Sequence, residues 1–223
     1  MEQLPDWAGI AATRQGVYRL FGRALLPPEE GLMQTLRSAA DYLETRDLVR
    51  FPFYRDWAGF RVALDQAPST EEVAVAYVRL FASGVNGALC PPTESWYKTD
   101  ARGGGTGELV AAVERDYRAL GFAPIGIAEP PDHAATELEA MSGLCAREGA
   151  AWQTGQDHEA AMVLESEERF LRSRLATWFG DFAARVETAD AGGWYHAVVI
   201  AADSYVVQDV DLVRALRKQL GAR

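Results

Sequence analysis

The sequence predicts an all-α fold, a single globular domain of about ten helices spanning residues 1–223, and three observations carry that prediction. Apolar residues recur at helical spacing through most of the chain, as at Ala134, Leu138, Met141 and Cys145. No stretch alternates apolar and polar residues with period two, and no unit repeats at a fixed interval. Proline and glycine pairs end the periodic stretches, at Pro27-Pro28, Pro130-Pro131 and Gly192-Gly193.

The elements follow in order. Residues 7 to 26 read as a helix on Ile10, Val17, Phe21 and Leu25, stopped by Pro27-Pro28. Pro28 suits the first turn of a second helix, where Glu29 and Glu30 meet the positive dipole end and Leu32, Leu36, Ala40 and Leu43 form the stripe. Residues 51 to 68, rich in aromatics, predict a short helix after a loop. Ser69-Thr70-Glu71-Glu72 is a capping box that opens a helix through Val73, Tyr77, Leu80 and Phe81. Periodicity then disappears from Gly84 to Gly107, a length of loop that is functional or disordered in compact domains. That segment, residues 84–107, is the candidate hinge for exchange between protomers, which leaves a monomer and a domain-swapped dimer both open. A helix returns over 108–120 on Leu109, Val113, Tyr117 and Leu120, closed by Gly121.

The chain is organised around Glu129-Pro130-Pro131-Asp132-His133 and the helix that follows it to about Gly149. The prolines end what precedes them, and Asp132 is placed to cap the new helix. His133 and Glu137 stand four apart at the edge of its apolar face. After a polar turn near Gly155, one long helical region is expected to about Val186, carrying Leu171, Leu175, Trp178 and Phe182. Gly192-Gly193 break it. Tyr195, Val198, Ala202, Tyr205 and Val206 mark the next helix, and a last one is expected to start at Asp209.

Composition narrows the function. The 22 basic residues are outnumbered by 32 acidic ones, a net charge of −10, which argues against a nucleic-acid binder. The charge serves either solubility or attraction of a basic partner. Cys90 and Cys145 show no metal-ligand spacing; Cys145 falls on the apolar stripe and is expected as a plain buried thiol, with a reducing cytoplasm as the natural compartment. Glu2 and Asp6 stand where a leader would be basic, so no signal peptide is expected. The longest apolar run, Ala197 to Ala202, is too short for membrane insertion.

Motifs for catalysis are sparse. The residues three before His133, His158 and His196 are Pro130, Gly155 and Gly193, which excludes the Glu-x-x-His pairs of di-iron bundles. No H-E-x-x-H, G-x-S-x-G or phosphate-binding P-loop is present, and the glycines of Arg102–Gly107 follow no strand. Asp132 and His133 admit an acid–base reading, and a capped helix start accounts for the same residues without catalysis. What remains is an acidic, loop-rich groove with Tyr77, Phe81, Trp96 and Tyr97 near it.

Taken together, several segments resemble one family. They are Tyr77-Val78-Arg79-Leu80-Phe81, Pro91-Pro92-Thr93-Glu94-Ser95-Trp96-Tyr97, Tyr117 to Phe122, Glu129 to His133 with Glu137 to Met141, and Glu168 to Leu171 through Trp178. In order and spacing they are similar to the TorD/DmsD group of cytoplasmic molybdoenzyme maturation chaperones, related to the NarJ chaperones. The resemblance implies a TorD-like all-helical fold and a non-catalytic chaperone. Such proteins bind the twin-arginine signal peptide, the body of a dimethyl-sulfoxide-reductase-type catalytic subunit, or both, until molybdopterin-guanine dinucleotide is inserted. That cofactor belongs to the client, and none is expected to bind tightly to the chaperone. Carried over, the peptide site is Glu129, Pro130, Asp132 and His133, with Tyr77, Leu80 and Phe81 from the aromatic helix. Glu94, Ser95 and Tyr97 match a further segment, in which Thr93 and Trp96 replace the family's tyrosine and valine. On this reading Asp132 and Glu129 pair with a peptide arginine, while His133 adjusts the site near neutral pH. The competing readings are a general helical adaptor or scaffold, and an enzyme built on Asp132 and His133 or on the Gly103 loop.

Overall fold

The computed structural model describes residues 6–46, 53–66, 68–82, 87–98, 105–123 and 128–221. The helices in chain order are α1 (Trp7–Ala24), α2 (Leu32–Glu44), α3 (Tyr54–Asp65), α4 (Thr70–Phe81), α5 (Glu94–Lys98), α6 (Thr106–Leu120), α7 (Ala134–Gln153), α8 (Asp157–Ser173), α9 (Phe179–Asp190) and α10 (Trp194–Gly221). A 3-10 turn, Leu175–Thr177, separates α8 from α9. Among the described residues no strand forms, and the one extended pairing is an isolated antiparallel bridge between Thr93 and His133.

The centre is the pair α1 and α7, whose packing is the most extensive in the fold. Small residues bring the two backbones close. A Cβ added at Gly22 would lie 3.4 Å from the Ala135 carbonyl, and one at Gly149 would lie 3.5 Å from Ala11 Cβ. α8 covers a second side of α7, and α10 packs against α3, α8 and α9. One apolar core runs from Val17 and Phe21 through Trp57, Leu138 and Trp178 to Val206 and Leu216.

Several local expectations hold. Ser69 caps α4 in a reciprocal box with Glu72, and Gly121 closes α6 at φ 66°. Others are corrected. Pro28 does not start α2, which begins at Leu32 after Gly31; Glu29 lies outside the helix and pairs with Arg23. Asp132 does not cap α7. His133 does, with Nδ1 accepting the Ala135 N–H at 3.1 Å. The long helix expected to Val186 breaks at Arg174, whose backbone (φ −123°, ψ −101°) is not helical. The stretch expected as irregular contains α5, while the rest of the proposed hinge lies partly outside the described residues, at 83–86 and 99–104. Asp209 starts no helix either, because α10 runs through it without interruption.

The Asp209 carboxylate is used in the core instead. Asp209 accepts from Arg14 Nε at 2.7 Å, from Arg14 Nη2 at 2.9 Å and from the Tyr18 hydroxyl at 2.6 Å. Arg14 also donates to Glu148 and Glu167, each at 2.6 Å. One buried guanidinium thus ties α1, α7, α8 and α10 together. The hint in the sequence is a charged residue at a helical-stripe position, four after Ile10 and three before Val17, which burial obliges to be paired.

Candidate functional site

The segment before α7 and the segment before α5 lie side by side as a short two-rung clamp. Glu94 N–H donates to Asp132 O and Ala134 N–H to Pro92 O, both at 2.8 Å. Pro91-Pro92 lie outside any helix, and Pro130 to His133 form a turn closed by the His133 N–H on Pro130 O at 3.1 Å, so the backbone groups of both segments are available to pair across the gap. Side chains lock the clamp. Asp132 Oδ2 accepts the Ser95 N–H at 3.0 Å at the start of α5, Thr136 Oγ1 donates to Pro130 O at 3.0 Å, and the Tyr117 hydroxyl of α6 donates to Pro131 O at 2.6 Å.

Beneath the clamp lies a carboxyl cluster with one guanidinium. Glu137, one turn into α7, is fully buried and accepts from Trp178 Nε1 at 3.1 Å. Arg174 reaches in from the α8 break, donating to Glu94 at 3.3 Å and to Asp116 Oδ2 at 2.7 and 2.8 Å. Burial pushes the Glu137 carboxyl well above its ordinary range, and the neighbouring Glu94 and Asp132 push it the same way. Burial raises Glu94 as well, against the pull of Arg174. His133 goes the opposite way. Its burial lowers the imidazole to about 4, so the ring is neutral at physiological pH. With Nδ1 accepting from Ala135, the ring proton sits on Nε2, 3.9 Å from Glu129. An imidazole lowered this far does not titrate near neutral pH, in contrast to the expectation for His133.

An aromatic wall extends from the cluster toward α4. Tyr97 stacks on Trp178 with centroids 5.6 Å apart and meets Phe182, which meets Phe81, which meets Tyr77 at 5.4 Å. Burial first, and then the Glu129 charge, raises the Tyr77 hydroxyl to about 12. The structure thus brings the sequence-predicted residues into one region but sorts them by depth. Leu80, Phe81, Glu94, Ser95, Asp132 and His133 are buried; Tyr77, Tyr97 and Glu129 are half-buried; Pro130 and Trp96 are exposed, Trp96 by 54%. Arg185 sits over the Trp96 ring at 6.0 Å. Arg174, Asp116 and Trp178 were missed as site residues. Trp178 stood on an expected helical stripe, but Arg174 carried no signal, because its role depends on a helix break that no glycine or proline announces.

Other chemistry is limited. Cys145, Glu148 and Glu167 place ligand atoms within 4.8 Å of one another, but Arg14 already occupies both carboxylates. A groove of about 510 Å3 between α1 and α2 is walled by Leu20, Leu36 and Leu43 and touches α7 at Ala135 and Glu139. Among the described residues no helix is long and apolar enough to cross a membrane.

The sequence of the chain is similar to a family of known proteins. A family model described as nitrate reductase delta subunit matches residues 30–184, the span from just before α2 into α9 that contains the clamp and the aromatic wall. The chain is 28% identical to the selenate reductase assembly chaperone protein of Thauera selenatis over 193 residues, 82% of this chain and 89% of that one. It is 40% identical over 62 residues to the chlorate reductase assembly chaperone protein of Ideonella dechloratans, covering 28% and 31% of the two chains. It is 30% identical over 83 residues to chaperone protein TorD of Shewanella pealeana, covering 37% and 31%. A crystal structure described as that of a redox enzyme maturation protein from Archaeoglobus fulgidus superposes with a TM-score of 0.52 over 93% of both chains at 21% identity, a likeness of fold.

Proposed function

Since the chain belongs to the nitrate reductase delta subunit family, the TorD- and NarJ-like group of molybdoenzyme maturation chaperones, we propose that it holds the catalytic subunit of a dimethyl-sulfoxide-reductase-family molybdoenzyme in the cytoplasm until that subunit is complete. The contacts are the twin-arginine signal peptide of the client, its apo body, or both. The observation that carries the reading is the match over residues 30–184, because the segment it covers is the one that builds the clamp and its carboxyl cluster.

The chemistry of the site supports a binding role. A twin-arginine leader offers guanidinium groups beside an apolar run. The half-buried Glu129 answers the first, and Trp96, Tyr97 and Tyr77 answer the second. A catalytic reading lacks the same support. The His133 ring is 2% exposed, its Nδ1 holds a backbone N–H, and Asp132 holds another. Neither side chain is open to shuttle protons to a substrate, and the matched relatives are named chaperones and assembly proteins. Molybdopterin-guanine dinucleotide is the group the client acquires.

Co-purification of the tagged protein from its native host, read by mass spectrometry, tests the proposal. A molybdoenzyme catalytic subunit with its leader uncleaved, or its apo body, is the expected catch. Recovery of neither, from cells shown to be making one, would return the protein to the adaptor reading.

A further inference from the structure

We propose that Glu94 and Glu137 form a receptor for a guanidinium group supplied by the client, and that Arg174 is the resident occupant, displaced outward onto Asp116 when that guanidinium arrives. The identity of the incoming group rests on the chaperone reading; the receptor itself rests on geometry alone.

The first observation is an orphaned oxygen. Glu137 is 0% exposed, yet only one of its carboxyl oxygens is used, by Trp178 Nε1; the other has no hydrogen-bond partner among the described residues. A buried acceptor without a donor is costly, and such a group marks a place where a donor is missing. The second is a mismatch of charge. Among the described residues Glu94, Asp116 and Glu137 gather around the Arg174 guanidinium, Asp132 stands beside both glutamates, and Lys98, the other cation beside Glu94, directs its Nζ to Thr177 O at 3.3 Å. The third is how Arg174 is held. Its two short bonds, 2.7 and 2.8 Å, run outward to the half-exposed Asp116, whereas the inward contact to Glu94 is single and long at 3.3 Å. Arg174 can give up Glu94 and still keep its better partner.

A planar guanidinium has the fork geometry and charge that a pair of carboxyls accepts, which an ammonium lacks. Burial raises both carboxyls, and a cation arriving beside them acts in the opposite sense.

Chemical rescue separates the receptor from the chaperone reading. Arg174→Ala is expected to lower Tm, and low-millimolar methylguanidinium to restore it with the logarithmic concentration dependence of a bound ligand. Tetramethylammonium at equal ionic strength should do nothing, and wild type, in which Arg174 must first leave, should respond to methylguanidinium only at about tenfold higher concentration. The same variant is expected to bind a synthetic twin-arginine leader peptide about tenfold tighter than wild type, within the range typical of coupled sites, because no occupant has to leave. Glu137→Gln, whose amide oxygen still accepts from Trp178, should fold normally and lose that tightening. If Arg174→Ala does not fold, Glu137→Gln in the wild-type background decides, with about tenfold weaker peptide binding expected. Absence of selective rescue, or unchanged binding by Glu137→Gln, overturns the proposal. Rescue without peptide binding by any form would leave the receptor standing and remove the signal-peptide reading.

Discussion

Asp132 is the residue at which scaffolding and recognition can be told apart, by comparing Asp132→Ala with Asp132→Asn. The wild-type carboxylate is 1% exposed and takes the Ser95 N–H at 3.0 Å. Alanine removes that acceptor where water does not readily replace it, at a cost of about 1–3 kcal/mol. For a chain of this size that corresponds to a fall in Tm of roughly 2–12 °C. Asparagine keeps an oxygen in place and changes only the charge. Two effects then oppose each other. The bond to Ser95 loses its charge assistance, worth less than ~1 kcal/mol, while Glu94 and Glu137 lose a negative neighbour that raises both. The net expectation is a Tm within a few degrees of wild type. Thermal unfolding measures the first quantity, and calorimetric titration with a twin-arginine peptide at low and high salt measures the second. If Asp132→Asn were as destabilised as Asp132→Ala, the charge and not the hydrogen bond would be holding the clamp. If it bound peptide as tightly as wild type at low salt, no ligand arginine pairs with Asp132.

Other predictions follow from the same structure. Glu167, buried beside Arg14, is raised by burial from 4.5 to about 8, so the folded state holds a proton the unfolded state releases; stability should fall as pH rises from 4.5 to about 8, at up to ~1.4 kcal/mol per pH unit, and Glu167→Gln should flatten that slope in pH-dependent urea denaturation. His133 has the opposite sign: its pKa is lowered from 6.5 to about 4, so stability should be lost as pH falls through that window, and His133→Asn, which retains a capping acceptor, should remove the loss in acid titration followed by circular dichroism. Trp96→Ala should leave Tm nearly unchanged, since the ring is exposed, but weaken client binding measured by titration. Ser69→Ala should cost about 0.5–2 kcal/mol in urea unfolding through loss of the α4 cap.

What was legible in the sequence was local. The α4 box, the αL glycine after α6 and the apolar stripe of α7 each depend on residues within a turn or two of one another, and each was found where expected. The misses are long-range. Asp209 looks like a helix start because an acid there suits a dipole; it lies inside α10, where its carboxylate is used instead by Arg14, 195 residues earlier in the chain. The break at Arg174 has no glycine or proline because tertiary contacts, to Glu94 and Asp116, hold that residue out of the helix. α5 has five residues, too few to show a period. The cap of α7 was placed one residue early, since an Asp and a His in succession can both accept a backbone N–H, and which does so is decided by Ser95 on another segment.

That last exchange changes how the motif is to be understood. Asp132 and His133 hold backbone N–H groups on two segments, so each spends its side chain fixing the clamp rather than facing solvent. Fixing it places Glu94 and Glu137 side by side beneath the α8 break, and exposes Pro130 with Glu129 at the rim. A substitution at Asp132 or His133 therefore alters binding through position, and its effect on affinity should track its effect on Tm. A substitution at Glu129, whose ring neighbour His133 is too far for a hydrogen bond at 3.9 Å, should alter affinity and its salt dependence with little change in Tm. Plotting the two quantities against each other for Asp132, His133 and Glu129 variants would separate the scaffold from the contact surface, and Glu129 falling on the same line as the other two would refute the division.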